Sequence, residues 1–99
     1  MFGYRYLGTG KPIKKCTKYY DVQEINYLRN CLQTGAIDEN HKVRESRSET
    51  LGVTAYVEAD KNFVALQLIQ YIPYMYYPIT ETLIFNGEQA QKICRVLSL

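Results

Sequence analysis

Four side chains in this sequence could support nucleophilic or metal chemistry: the single histidine, His41, and the cysteines Cys16, Cys31 and Cys94. One histidine excludes a metal site built from several histidines, and the cysteines show no CxxC or other metal-ligand spacing. Any of the three cysteines could in principle form a nucleophilic pair with His41, but none of them lies in a recognisable nucleophile motif. An odd number of cysteines is also a poor disulfide framework. We therefore expect reduced thiols, with Cys31 and Cys94 as small core residues.

A glycine-rich turn at residues 8–11, GTGK, is similar to the end of a phosphate-binding loop. That motif requires a glycine five positions before Gly10, where Arg5 stands. It also requires a serine or threonine after the lysine to meet magnesium, where Pro12 stands. The segment is therefore predicted to be a plain turn without a bound nucleotide.

Paired carboxylates could serve as a general acid and base, and Asp38 and Glu39 are adjacent in a polar segment. Neighbouring side chains of an extended chain point in opposite directions, so these two are predicted to be solvated charges. With so few candidate groups, the sequence predicts a protein that is not an enzyme and that holds no cofactor or metal.

Basic residues cluster near the N-terminus at Lys11, Lys14, Lys15 and Lys18, and two tyrosines follow them. Proteins that bind single-stranded nucleic acid combine cations along the phosphates with rings that stack on bases. Four lysines would give only weak, salt-sensitive binding. The alternative is a solvated lysine loop whose tyrosines cover the core.

An uncharged segment at residues 71–78, YIPYMYYP, contains four tyrosines and two prolines. Tyrosine and methionine are enriched at protein interfaces, and prolines stiffen the backbone that presents them. The candidate contacts to a protein partner are Tyr74, Met75, Tyr76 and Tyr77. The alternative is a connection packed over the protein's own core, and a two-fold homodimer could also use this segment.

The composition predicts one globular domain over residues 1–99. Hydrophobic residues make up 46% and charged residues 22%, which are ordinary globular values, and the net charge of +2 is too small to indicate nucleic acid by itself. No apolar run approaches the length of a membrane helix, and the N-terminal residues lack the pattern of a signal peptide. These features favour an intracellular protein with no membrane contact.

Hydrophobic periodicity predicts the elements of the N-terminal half. Residues 2–6 alternate as a short strand, residues 8–12 form a loop, and the lysine-rich segment up to Tyr20 has no clear period. A helix starts with Asp21 as N-cap and Glu24 completing a capping box, and it ends at Gly35. Its apolar stripe consists of Val22, Ile25, Leu28 and Leu32.

The C-terminal half reads as strands followed by a helix. Residues 38–50 are polar and could be a loop or one arm of a hairpin, whereas residues 53–59 alternate as a strand. Residues 63–71 indicate a central strand and residues 79–85 a further strand, before a helix capped by Asn86. The predicted fold class is α+β, with a small antiparallel sheet of four to five strands and two helices packed on one face.

The whole chain resembles small proteins of filamentous and rod-shaped viruses of hyperthermophilic, acid-loving archaea, in particular a protein of an Acidianus filamentous virus. The residues that carry the resemblance are the opening MFGYRYLGTGKPIKK, the segment LIQYIPYMYYP and the closing NGEQAQKICRVLSL. This group is similar to a family of archaeal-virus anti-CRISPR proteins, which are homodimers that bind the large subunit of a subtype I-D interference complex.

The resemblance thus implies a homodimeric viral protein that inhibits CRISPR interference by occlusion in the host cytoplasm. It transfers no binding residue to this sequence. Those relatives are strongly acidic, whereas this chain has a net charge of +2, so an acidic mimic of nucleic acid is not expected. The leading prediction is a non-enzymatic protein that binds a host or viral protein, and the competing prediction is weak nucleic-acid binding through the lysines.

Overall fold

The computed structural model describes residues 12–46, 51–70 and 79–99. These residues form β1 (Ile13–Tyr19), α1 (Val22–Thr34), β2 (Gly52–Glu58), β3 (Phe63–Gln70), β4 (Ile79–Asn86) and α2 (Gly87–Leu97). The strands make a four-stranded antiparallel sheet in the order β1-β2-β3-β4. The predicted α+β fold is confirmed, and the strand predicted at residues 2–6 lies outside the described residues.

Strand β3 is one of the two inner strands of the sheet, and its residues are apolar on both faces. Val64 and Leu66 face one side and Phe63 and Ala65 the other, and all four are buried. Its neighbours are β2, which is joined to it through residues 59–62, and β4 on the other side. The prediction of a central strand at residues 63–71 is confirmed by β3, which ends at Gln70.

Both helices pack on one face of the sheet and form the main core with it. The helices contribute their apolar stripes, and β2 to β4 contribute alternate residues of one face. The helical members are Ile25, Leu28, Cys31, Ala90, Ile93, Cys94 and Leu97, and the sheet members are Val53, Ala55, Val57, Val64, Leu66, Leu68, Leu83 and Phe85. The prediction that Cys31 and Cys94 are small core residues is confirmed, since both are buried.

Helix α1 begins and ends where the sequence predicts, but its N-terminus is not a capping box. Asp21 makes no side-chain cap bond, and the Glu24 carboxylate contacts His41 instead. Gly35 ends the helix at φ 73°, a left-handed conformation that favours glycine, and its N–H donates to the Cys31 carbonyl. Val22, predicted on the apolar stripe, is 54% exposed because it precedes the turn that meets the sheet.

Asn86 likewise precedes α2 without a side-chain cap bond. The first helical residue, Gly87, has φ 57° and donates its N–H to the Asn62 carbonyl in the β2–β3 turn. This backbone contact ties the start of α2 to the β2–β3 turn.

The lysine-rich segment without a clear period forms the regular edge strand β1. Apolar periodicity fails there because an edge strand exposes residues of both faces, and charged residues are common on sheet edges. The polar stretch at residues 38–50 is described as far as residue 46, where it contains a turn at residues 39–40 and one isolated bridge from Glu45 to Tyr20. None of the helices in the described ranges is long and apolar enough to cross a bilayer.

Candidate binding surface at the β1 edge

The sequence-predicted binding residues fall into two groups. Tyr74, Met75, Tyr76, Tyr77 and Lys11 lie outside the described residues, so their proposed contacts stay predictions. The strands on either side of the tyrosine segment pair up to its ends, at Gln70 and Ile79. Lys14, Lys15 and Lys18 all lie on β1.

The alternation of β1 distributes the three lysines over two faces of the sheet. Lys14 and Lys18 pair with Val57 and Val53 of β2, so they lie on the face that the helices cover. Lys15 lies on the opposite face, where its ammonium is 6.0 Å from the centroid of the Tyr56 ring. The lysines therefore do not form one continuous row of cations.

Lys18 is occupied by contacts within the protein. Its Nζ donates to the Leu97 carbonyl at 3.2 Å and lies 3.8 Å from the Glu45 carboxylate, and its side chain is 22% exposed. The Leu97 carbonyl belongs to the last turn of α2, where carbonyls lack helical partners and the helix dipole is negative. Lys18 thus stabilises the end of α2.

A cleft of about 290 Å³ opens between β1, the β2–β3 turn and the end of α2. Its apolar lining includes Cys16, Val57 and Leu99, and the lysines Lys14 and Lys61 stand exposed around it. Within the described residues neither of these two lysines forms an ion pair. Glu58 also belongs to the lining but is only 1% exposed, so the two exposed lysines dominate the charge of the cleft. The cleft is therefore suited to a group that combines apolar surface with negative charge.

A second cleft of about 370 Å³ adjoins the first along α2 and includes Asp60, Gln91, Cys94 and Arg95. Arg95 forms an ion pair with Glu39, which neutralises its charge. Burial raises the pKa of the Cys94 thiol, and the nearby Lys61 and Arg95 oppose that effect. A buried thiol that is held protonated is a poor nucleophile.

The backbone of β1 has a second edge that faces away from β2. Tyr20 N–H donates to the Leu51 carbonyl and the Pro12 carbonyl accepts from Ala59, so even-numbered residues bond towards β2. In an antiparallel pair the intervening residues point their N–H and C=O groups away from that partner. These are the odd-numbered residues Ile13, Lys15, Thr17 and Tyr19.

One end of this outer edge is already paired. Ser46 N–H donates to the Tyr19 carbonyl at 2.7 Å, and Glu45 forms an antiparallel bridge with Tyr20. The Glu45 carboxylate is the one that faces Lys18. Within residues 12–46, 51–70 and 79–99, no strand pairs with the outer edge of Ile13, Lys15 and Thr17.

The only histidine contacts a carboxylate and an aromatic ring. His41 Nε2 lies 3.2 Å from Glu24 Oε2, and the imidazole stacks on Tyr27 with 4.1 Å between ring centroids. Burial, followed by a hydrogen bond with Cys31, raises the pKa of Tyr27 to about 12. The His41 imidazole makes no hydrogen bond to a described cysteine, and no group of three or more metal-ligating side chains occurs in the described residues.

The carboxylates of Asp38 and Glu39 have different partners. Asp38 accepts the N–H of Asn40, and Glu39 pairs with Arg95. Both residues are exposed, and the two carboxylates share no partner among the residues that the structure describes.

Sequence reasoning missed Lys61 and Glu45. Lys61 lies in a tight turn with φ 60°, and Glu45 lies in a polar stretch without a period, so no local pattern distinguishes them. It also missed that Thr54, Tyr56 and Glu58 are buried, at 7%, 4% and 1% exposure, on the face that the helices do not cover.

No protein-family model, no curated protein and no solved structure matches this chain.

Proposed function

We propose that this chain is a non-enzymatic binding protein whose partner is another protein. The observation that carries the proposal is the outer edge of β1, where Ile13, Lys15 and Thr17 pair with no strand among the described residues. This edge lies beside a cleft with an apolar lining and two exposed lysines. Strand edges bind extended segments of other chains through main-chain hydrogen bonds. A surface of this kind supports recognition and supplies no chemical step.

Binding of nucleic acid is the less favoured alternative. It needs several cations that follow one phosphate backbone, whereas β1 sends Lys15 to one face and Lys14 to the other, and Lys18 contacts Leu97. With about two phosphates neutralised, the logarithm of the affinity for single strands would fall with a slope of only about −1.4 against log salt.

A filter-binding titration of single-stranded DNA between about 50 and 200 mM salt tests this alternative. We expect no retention above background at the higher salt. Tight binding with a slope steeper than about −3, lost when Lys14 and Lys15 are both changed to glutamate, would overturn the proposal in favour of nucleic acid.

The resemblance supports a more specific form of the proposal. In that form the protein comes from a virus of a hyperthermophilic archaeon and is a homodimer in the host cytoplasm. It blocks CRISPR interference by occupying the large subunit of a subtype I-D complex. Tyr74, Met75, Tyr76 and Tyr77 then contact that subunit or the second protomer.

Size-exclusion chromatography with light scattering tests both parts. The chain alone should run as a dimer and should co-elute with the purified large subunit. The four single alanine variants should each weaken one of the two associations, while Lys92→Ala on α2 should change neither. A monomer that fails to co-elute contradicts this specific form.

A further inference from the structure

We propose that the outer edge of β1 binds an extended, acidic segment of the partner protein as an additional antiparallel strand. The inference rests on the proposed function, because it specifies how the protein partner is held. The segment would pair with Ile13, Lys15 and Thr17, whose N–H and C=O groups point away from β2.

The protein contains a short example of this arrangement. Glu45 forms an antiparallel bridge with Tyr20, and Ser46 N–H donates to the Tyr19 carbonyl. This pairing places the acidic side chain of Glu45 next to Lys18. A carboxylate on an extended segment is thus accommodated on this edge, next to the residues at which we propose that the partner pairs. The incoming segment repeats the same pairing closer to the start of β1.

The charges of β1 determine which segment fits. Directly opposite residues on paired strands interact, and opposite charges stabilise the pair while like charges destabilise it. An acidic residue opposite Lys15 would lie on the Tyr56 side of the sheet, and one opposite Lys14 would lie beside the cleft. Two adjacent acidic residues therefore match two adjacent lysines.

The same charges argue against a second copy of this chain at the edge. Antiparallel pairing of two β1 strands would bring Lys14, Lys15 and Lys18 of both copies together. Lysine-rich edges are a common device that prevents such self-pairing. A homodimer, if formed, would have to use another surface.

Hydrogen exchange of the free, full-length protein is the first test. We expect the amides of Lys14, Cys16 and Lys18 to be protected, since they bond towards β2, and those of Ile13, Lys15 and Thr17 to exchange at least tenfold faster. Equal protection of both sets in the free protein overturns the proposal, because it means that the chain's own segments or a second copy already fill the edge.

Peptide binding is the second test. The probe is a capped heptapeptide of threonines and valines with two adjacent central glutamates. The controls are its di-lysine counterpart and a glutamate peptide that carries N-methyl groups on two alternate backbone nitrogens, at the positions that donate to β1. Amide shifts of the labelled protein report where each peptide binds.

We expect the acidic peptide to bind and to slow the exchange of Ile13, Lys15 and Thr17. N-methylation, which keeps the charge but removes two hydrogen bonds, should lower the affinity roughly tenfold or more. Lys14→Glu with Lys15→Glu should weaken the acidic peptide and allow the di-lysine peptide to bind, whereas Lys92→Glu should change neither. Each charge contributes a factor of about two to five at such an exposed site.

The proposal is overturned if the N-methylated peptide binds as well as its parent, since attraction would then be purely electrostatic. It is equally overturned if the shifts map away from β1 or if no peptide binds. If the peptide tests fail but the protein still co-elutes with the large subunit, the strand-pairing proposal is wrong and the proposed protein-binding function stands. The two failures can therefore be told apart.

Discussion

Replacement of Lys18 by methionine should destabilise the protein, although lysine-to-methionine changes on a surface strand are normally harmless. Methionine preserves the apolar stem and removes the ammonium that donates to the Leu97 carbonyl at 3.2 Å. The carbonyl then loses its side-chain partner at the negative end of α2. The Glu45 carboxylate also loses its cation.

The contacts of Lys18 set the size of the effect. A hydrogen bond that involves a charged group contributes about 1.5–3 kcal/mol, and partial exposure of Lys18 lets water replace part of it. The Glu45 pair adds little, because it spans 3.8 Å and Glu45 is 61% exposed. We therefore expect a loss of about 1–2 kcal/mol in the free energy of unfolding, or roughly 5–15 °C in Tm.

Urea unfolding followed by circular dichroism measures this loss, and Lys14→Met is the matched control. Lys14 lies on the same strand and the same face, is exposed, and forms no ion pair with any described residue. Its change should stay within about 0.5 kcal/mol. Equal midpoints for the two variants would refute the assigned role of Lys18 at the end of α2.

Three further predictions concern the core, a helix end and pH. Ile93→Ala should lower the free energy of unfolding by about 3–4 kcal/mol, because Ile93 is fully buried between α2 and the sheet. A loss below about 1 kcal/mol in urea unfolding would contradict that packing. Gly35→Ala should lower the free energy of unfolding by about 1 kcal/mol or more, since φ is 73° and an added Cβ would lie 3.1 Å from the Gln89 amide. Gly35→Asn should lower it less, because asparagine tolerates the left-handed conformation better than alanine. Equal losses for the two variants would be inconsistent with a left-handed constraint at this position. Burial raises the pKa of Tyr20 and Tyr27, so in the folded protein both keep their protons above pH 10. In the unfolded chain tyrosines ionise near pH 10, so the free energy of unfolding should fall as the pH rises beyond 10. Tyr20→Phe should flatten this decline in urea midpoints, and an unchanged slope would show that Tyr20 does not contribute.

The sequence predicts elements well where one face is buried and the other is exposed. The stripe of α1 and the alternation of β2 come directly from burial on the helix side, and Gly35 ends α1 because only a left-handed residue fits there. β1 escaped prediction because an edge strand with lysines on both faces has no apolar period. The burial of Tyr56 was missed for a related reason, since alternation predicts an exposed second face.

The candidate surface was only partly predictable. The cluster of lysines is visible in the sequence. Their distribution over two faces of the sheet depends on the strand register, which no local pattern specifies. Lys61 joins them through the β2–β3 turn, and Glu45 meets Lys18 across a long stretch of chain. The predicted caps at Asp21 and Asn86 give the correct starts of α1 and α2. The predicted cap bonds themselves are wrong, since neither side chain makes one.

The sequential strand order has a consequence for how the chain folds. β2 and β3 meet after closing only residues 59–62, whereas β1 and β2 meet only after residues 20–51 are closed. Loop-closure entropy makes the second pairing about 2 kcal/mol less favourable to initiate. We expect a nucleus of β2, β3 and α2, which packs on β3, with β1 docking after the rate-limiting step. Substitutions in β1 should then speed unfolding and leave the folding rate nearly unchanged.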